Sequence, residues 1–241
     1  MPLPEARPDW QYFPDAGAVA TAAAALILSA ADAAIAARGE FRLVLAGGTT
    51  PDKVYRQLAA SPVDWTRWQI YFGDERCLPV TDPGRNSRMA AEAWLDQCSI
   101  PRDNVHPIPA ELGSQAAAQL YAPQVAAARP FDLVLLGMGE DGHTASLFPG
   151  QVHPNGEQVH AVSDAPKPPP DRVTLSREAL SDSRDVLILV TGAGKRTAVR
   201  RWLAGEDLPI ARITARQHLR VLTDRAACGG CVPAIPGSNC R

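Results

Sequence analysis

Lysine is nearly absent from this chain: Lys53, Lys167 and Lys195 are the only three among twenty-four basic side chains. Twenty-six acids leave a formal charge of -2, with no basic stripe and no interleaving of aromatic and basic residues of the kind that tracks a nucleic acid backbone. A negatively charged ligand must then be held by a local cluster. Cysteine is sparse as well. Five residues, Cys77, Cys98, Cys228, Cys231 and Cys240, are an odd number in a chain too long to need disulfide staples. Cys228 and Cys231 form a C-x-x-C, but no second pair or nearby histidine completes a zinc site, and the segment is rich in proline and glycine; no metal is expected. A G-x-S-x-G nucleophile elbow is missing, which removes the serine-hydrolase reading.

One long apolar run is present, from Ala18 to Ala37. Asp32 interrupts it, no compact basic region precedes it, and alanine is only marginally apolar for a bilayer, so the run reads as a surface helix capped by Asp15 and ended by Gly39. The expectation is no membrane and a cytoplasmic location. With 241 residues, 46% of them hydrophobic, the chain can bury a full core. One domain is expected over 1–227, followed by a Cys/Pro/Gly-rich tail over 228–241.

Short apolar runs at 41–46, 69–72, 132–136, 172–175, 185–191 and 219–223 read as strands. Helices are expected around 16–38, 51–60, 86–97, 114–128 and 194–204. The alternation predicts an α/β fold, modified Rossmann-like, with a mainly parallel sheet and helices on both faces. The stretch Asp164 to Pro170 reads as a proline-stiffened linker.

Chemistry is expected where strands end, because ligands of open parallel sheets bind at the carboxyl ends. The strand through Leu136 runs into Gly137-Met-Gly-Glu-Asp-Gly-His143, which places an imidazole there with Glu140 or Asp141 able to orient it. The same glycines spell G-x-G-x-x-G. Pro149, Gly150, Pro154 and Gly156 leave no room for the long helix a dinucleotide needs, and no cofactor is expected. Gly192-Ala-Gly-Lys195 is a near miss to a phosphate loop, lacking the first glycine, with Arg196 where the hydroxyl belongs.

Gly47-Gly48-Thr49-Thr50-Pro51 offers a second site: Thr50 is read as the cap of a helix starting at Pro51, with amides open to a phosphate. A third is Gly73-Asp74-Glu75-Arg76, where adjacent acids and an arginine need partners or work, and Arg76 could face a developing oxyanion. Arg172 and Lys195 are the fourth element, a phosphate clamp with the 47–50 turn if the fold brings them together. Each segment also has a plain structural reading as a turn, a salt-bridge cluster or a solvated charge. His106, His153, His160 and His218 lack comparable surroundings and read as structural or solvated.

These segments closely resemble the 6-phosphogluconolactonases. Gly-Asp-Glu-Arg at 73–76, followed by Asp82 and Asn86-Ser87, and the run Leu135 to Pro149 carry the likeness, which spans roughly Asp15 to Ala227. The resemblance implies a fold shared with the glucosamine-6-phosphate deaminases and metal-independent hydrolysis of 6-phospho-D-glucono-1,5-lactone to 6-phospho-D-gluconate in the pentose phosphate pathway. It implies that His143 activates water, that Arg76 faces the carbonyl oxygen, and that Gly47, Gly48, Thr49, Arg172 and Lys195 hold the 6-phosphate. Asp74 is assigned to positioning Arg76 or the sugar hydroxyls. The expected partner is the small sugar phosphate lactone, and a monomer is expected. A deaminase-like isomerase is the alternative, but it should carry an acid shortly after the histidine, and residues 144–148 hold none. A non-catalytic sugar-phosphate sensor is the other alternative; it would have no need of His143.

Overall fold

The computed structural model describes residues 8–154 and 156–229. Most of the expected tail, with Cys231 and Cys240, lies outside the described residues. Nine strands are present among those described: β1 (Asp9–Phe13), β2 (Phe41–Leu45), β3 (Trp68–Phe72), β4 (Asp74–Arg76), β5 (Phe131–Gly137), β6 (Val159–Val162), β7 (Arg172–Leu175), β8 (Ser183–Val190) and β9 (His218–Asp224). Six of them form a sheet in the order β1-β9-β8-β5-β2-β3, parallel at every pairing. β4, β7 and β6 form a second, antiparallel sheet.

Among the described residues seven α-helices connect and flank these strands: α1 (Ala16–Arg38), α2 (Thr49–Ala59), α3 (Asn86–Ala93), α4 (Ser114–Ala128), α5 (Arg177–Ser181), α6 (Arg196–Leu203) and α7 (Arg225–Cys228). The helix α1 starts and stops on the residues the sequence marks. Asp15 accepts the Ala18 N–H at 2.9 Å, and Gly39, at φ 83, donates its own N–H to Ile35 O. By length and composition α1 could cross a bilayer, yet its Val19, Ala23, Ile27, Ala31 and Ala34 stripe is buried in the protein core. Small side chains at this spacing let the helix lie close against its neighbours.

Every residue of the β5 run Phe131 to Leu136 is buried, as a central strand covered on both faces requires. At the other end of the sheet Phe41, Trp65, Trp68 and Trp94 pack edge to face at 4.8–5.8 Å. Fully burying each of these side chains contributes about 1.5–3 kcal/mol.

Several expectations change. The 172–175 strand is real but belongs to the small antiparallel sheet, because β4 and β6 offer it partners that no local pattern reveals. β1, β4 and β6 are additional: β1 is a five-residue edge strand before Pro14, β4 is a three-residue strand after Gly73, and β6 follows a loop. Helix α2 begins at Thr49 with Gly48, at φ 107, in the cap position. Thr50 therefore does not cap it. The predicted 86–97 helix ends at Ala93, where Trp94 turns the chain into a short 3-10 turn over Leu95–Gln97. The 194–204 helix is likewise split into a 3-10 turn over Ala193–Lys195 and α6.

Chain order and sheet order together position the site. From β2 the chain moves outward to β3, then returns to place β5 on the other flank of β2. The connections that leave β2 and β5 therefore diverge and open a crevice at their carboxyl ends.

Candidate active site

Turns after β2, β5 and β8 and the strand β4 surround one cleft of about 350 Å³. Gly47 and Gly48 form its floor. A Cβ on Gly47 would stand 1.9 Å from Asn86 Oδ1, so only glycine fits there. The Tyr55 hydroxyl accepts the Ala46 N–H at 3.0 Å and donates to Ala46 O at 2.7 Å, which braces the turn from beneath. Thr49 and Thr50 open α2 beside it. The hydroxyls of Thr50 and Thr191 are hydrogen-bonded to each other, so Thr50 ties two turns together. First-turn amides and the positive end of the helix dipole face this corner.

Gly73 joins the two sheets, donating to Leu45 O at 2.9 Å and accepting from Leu175 N at 2.8 Å. Beyond it, the two-residue period of β4 sends Asp74 and Arg76 into the cleft and Glu75 the other way. Glu75 is fully buried and accepts the N–H groups of Arg76, Asn86 and Ser87 at 2.7–2.8 Å, with Arg85 Nε at 3.4 Å. It caps α3, so its charge is spent on structure. Asp74 accepts from Asn86 Nδ2 at 2.9 Å and from Ser146 Oγ at 2.7 Å. Arg76 donates through Nη1 to Gly84 O at 2.5 Å, while its Nε is buried without a partner and Asn86 Oδ1 is likewise unpartnered. Both residues line the cleft, and each has hydrogen-bonding capacity left for a ligand.

His143 lines the cleft from the turn after β5. Its Nδ1 and Asp141 Oδ1 are 2.5 Å apart, and its backbone N–H donates to the same oxygen at 3.2 Å. Asp141, not Glu140, orients the ring; Glu140 is exposed, with its carboxylate beside Gly194. An ionised Asp141 accepts a hydrogen bond from Nδ1–H, which leaves Nε2 as the basic nitrogen. Burial pushes the imidazole below its ordinary proton affinity; the Asp141 charge opposes this, and Lys167 adds to it. Burial acts to raise the Asp141 carboxyl, but the His143 charge and hydrogen bonds outweigh it and hold the group low. A neutral imidazole beside an ionised carboxylate is competent as a base at neutral pH. Gly139 permits this packing, since a Cβ there would meet His143 Nδ1 at 2.0 Å.

Four cations line the same cleft: Arg76, Lys167, Arg172 and Lys195. None has an acid within ion-pair distance among the described residues, and Asp74 is the one acid in the lining. Arg172 reaches the cleft from the second sheet, and its guanidinium lies over the Phe148 ring at 5.6 Å. Lys195 stands after β8 on a turn whose Gly192 N–H donates to Asp224. Burial lowers its proton affinity, and Lys167 lowers it further against the pull of Glu140 and Asp141. Thus Gly47, Gly48, Thr49, Thr50, Asp74, Arg76, His143, Arg172 and Lys195 share one cavity, with Asp141 behind the histidine. Lys167, Asn86 and Thr191 join them without having been assigned a role from sequence. Only the scarcity of lysine marked Lys167 in advance. No group of three or more His, Cys, Asp or Glu residues among the described residues could hold a metal ion.

A switch-point crevice with a carboxylate-oriented imidazole and a surplus of cations defines an α/β enzyme built for a small anionic ligand. The family model for glucosamine-6-phosphate isomerases/6-phosphogluconolactonase matches residues 14–222, and the chain belongs to that family. The 6-phosphogluconolactonase of Mycobacterium tuberculosis is 39% identical over 236 residues, which covers 90% of this chain and 96% of that protein. That of a Synechocystis species is 39% identical over 186 residues, or 73% and 77% of the two chains. Among solved structures, the 6-phosphogluconolactonase of Thermotoga maritima has a TM-score of 0.84 at 28% identity, covering 90% of this chain and 100% of the other. The Trypanosoma brucei enzyme gives 0.83 at 28%, covering 94% and 99%. A monomeric glucosamine-6-phosphate deaminase shares the fold at 0.78 and 22% identity, covering 92% and 99%. The chain is an enzyme of the hydrolytic, lactonase kind within this family.

Proposed function

We propose that this chain hydrolyses 6-phospho-D-glucono-1,5-lactone to 6-phospho-D-gluconate in the oxidative pentose phosphate pathway, as a cytoplasmic enzyme. The observation that carries the reading is the shared cleft that the Asp141-held imidazole of His143 lines together with cations that have no acid partner among the described residues. The relatives named 6-phosphogluconolactonase support the same reaction.

In this reading the phosphate binds at the Gly47-Gly48-Thr49 turn, against the first-turn amides of α2 and Lys195, with Arg172 nearby. Holding the remote phosphate turns binding energy into orientation of the lactone carbonyl beside His143. Water attacks C1 as Nε2 of His143 takes its proton, and the carbonyl oxygen becomes an oxyanion faced by the Arg76 guanidinium. The intermediate collapses by breaking the bond from C1 to the ring oxygen, and His143 returns its proton to that oxygen. The product acid then ionises in water. Asp141 holds the imidazole in the productive tautomer throughout, and Asn86 Oδ1 is placed to accept from a sugar hydroxyl.

A pH-stat assay on purified lactone, with spontaneous opening subtracted, tests this directly. Ammonia release from glucosamine 6-phosphate faster than lactone opening would reverse the assignment in favour of the isomerase. Full lactonase activity in His143→Ala would remove the mechanism.

A further inference from the structure

We propose that Arg172 is a positioning residue: it fastens a closed strap, residues 165–170, at the cleft so that Lys167 lines that cleft together with His143. The inference rests on the lactonase reading above for its kinetic part only.

The strap closes on itself through a hydrogen bond from Ala165 N to Pro170 O at 3.0 Å. Its carbonyls then face Arg172. The guanidinium donates from Nε to Pro169 O at 2.9 Å and from Nη2 to Lys167 O at 3.1 Å and Pro168 O at 3.2 Å. Three of five donor hydrogens are thereby committed to the strap, leaving those on Nη1. Arg172 is 5% exposed. A cation so buried, with Nε and Nη2 both on backbone carbonyls, is placed to hold the strap, and Nη1 is left toward the cleft that Arg172 lines.

The other side of the assembly is apolar. Phe148, Val162 and Ala165 form a small buried cluster apart from the main core, which anchors the start of the strap. Arg172 lies over the Phe148 ring at 5.6 Å, and the same ring packs on His143 at 4.6 Å. Strap, guanidinium, ring and imidazole are thus one continuous stack. Lys167, at the tip, lines the cleft, and no acid lies within ion-pair distance of it among the described residues.

The charged groups that act on the His143 ring are Asp141 from its own turn, Lys167 from the strap and Asp74 from β4. Of these Lys167 alone opposes protonation. Removing its charge, or letting the strap swing away, therefore raises the imidazole's proton affinity. A lysine in place of Arg172 keeps a positive charge but lacks the planar fork that reaches three carbonyls. Arg172→Lys is the informative variant for that reason.

The test is an NMR titration of the His143 imidazole in ligand-free protein, for wild type, Lys167→Met, Arg172→Lys and the double variant, alongside KM and kcat for the lactone. Expected are an upward move of the His143 midpoint in Lys167→Met, a similar move in Arg172→Lys, and no further move in the double variant. KM should rise about tenfold in each single variant and not multiply in the double. An unshifted midpoint in Arg172→Lys, or KM effects that multiply, would overturn the proposal. Should Arg172→Lys lose its fold, a Lys167→Met variant that leaves the His143 midpoint unmoved overturns it equally. The titration needs no substrate, so it is read whether or not the lactone is turned over; absence of turnover in the wild type would count against the lactonase reading alone.

Discussion

The hydroxyls of Thr50 and Thr191 lie 2.5 Å apart although 141 residues separate them in the chain, and their hydrogen bond fastens the turn after β2 to the turn after β8. Those turns carry the glycine amides and Lys195, the two halves of the proposed phosphate site. Thr50→Val should therefore raise KM roughly fivefold with little change in kcat, the size expected for one hydrogen bond of about 1 kcal/mol. Thr191→Val should do the same, and steady-state kinetics of the double variant should show less than the product of the two effects.

His143→Ala is expected to lower kcat by about a hundredfold or more, as loss of a general base does. Asp141→Asn should also lower kcat, because an amide can stabilise the wrong tautomer, while leaving KM nearly unchanged. Single-turnover measurements on both variants check the ordering; an Asp141→Asn enzyme with wild-type kcat would exclude Asp141 from orienting the ring.

The acid limb of kcat/KM should fall below the ordinary histidine value of about 6.5, since burial keeps His143 neutral in the free enzyme. Activity is then retained as pH drops through 6.5 and is lost only as the lowered pKa is crossed. Buried histidines affect stability with the same sign. Burial pushes His160 down to about 4, His153 adds to that effect, and His106 and His153 are themselves lowered by burial. Between about pH 6.5 and pH 4 the unfolded chain binds more protons than the native one, so stability declines on acidification. Thermal melts at pH 7.5 and pH 5 should show the lower Tm at pH 5.

Gly139→Ala should abolish most activity without unfolding the protein, because its Cβ would lie 2.0 Å from His143 Nδ1 and 2.6 Å from Asp141 Oδ1. The imidazole must move, and a loss of at least tenfold in kcat is expected. Circular dichroism with kinetics separates displacement of the ring from loss of fold.

Glu75→Gln should cost stability before it costs chemistry. The carboxylate is fully buried, accepts three backbone N–H groups and faces Arg85, which is 2% exposed. Breaking a buried pair costs about 3–5 kcal/mol, which corresponds to a Tm drop of roughly 10 °C in a chain of this size. A melt within 2 °C of wild type, roughly the shift for under 1 kcal/mol, would show that Glu75 is not the cap of α3.

Asp15 and Gly39 bound α1 because caps are local chemistry, and the run Leu133 to Leu136 of β5 marks a central strand because burial on both faces favours apolar side chains throughout, with Asp132 at its start paired to Arg38. The turns that carry His143, Gly47 and Lys195 were readable for the same reason: glycines after an apolar run mark a strand end. Thr50 does not cap α2 because Gly48 takes that position, and its hydroxyl bonds Thr191, which is distant in sequence. The stretch 164–170 resembled a spacer; it is a strap because Arg172 fills it and Phe148 anchors it.

Residue order alone therefore marked the glycine turns after β2, β5 and β8, the alternation of parallel strands with helices, and the family to which the chain belongs. Pairing β4 with β7, gathering four cations into the cleft that His143 lines and leaving Lys167 without an acid among the described residues were settled by folding. Hydrophobic period and capping act over a few residues and are written locally, whereas strand pairing, burial and charge proximity depend on distances that exist once the chain has closed upon itself.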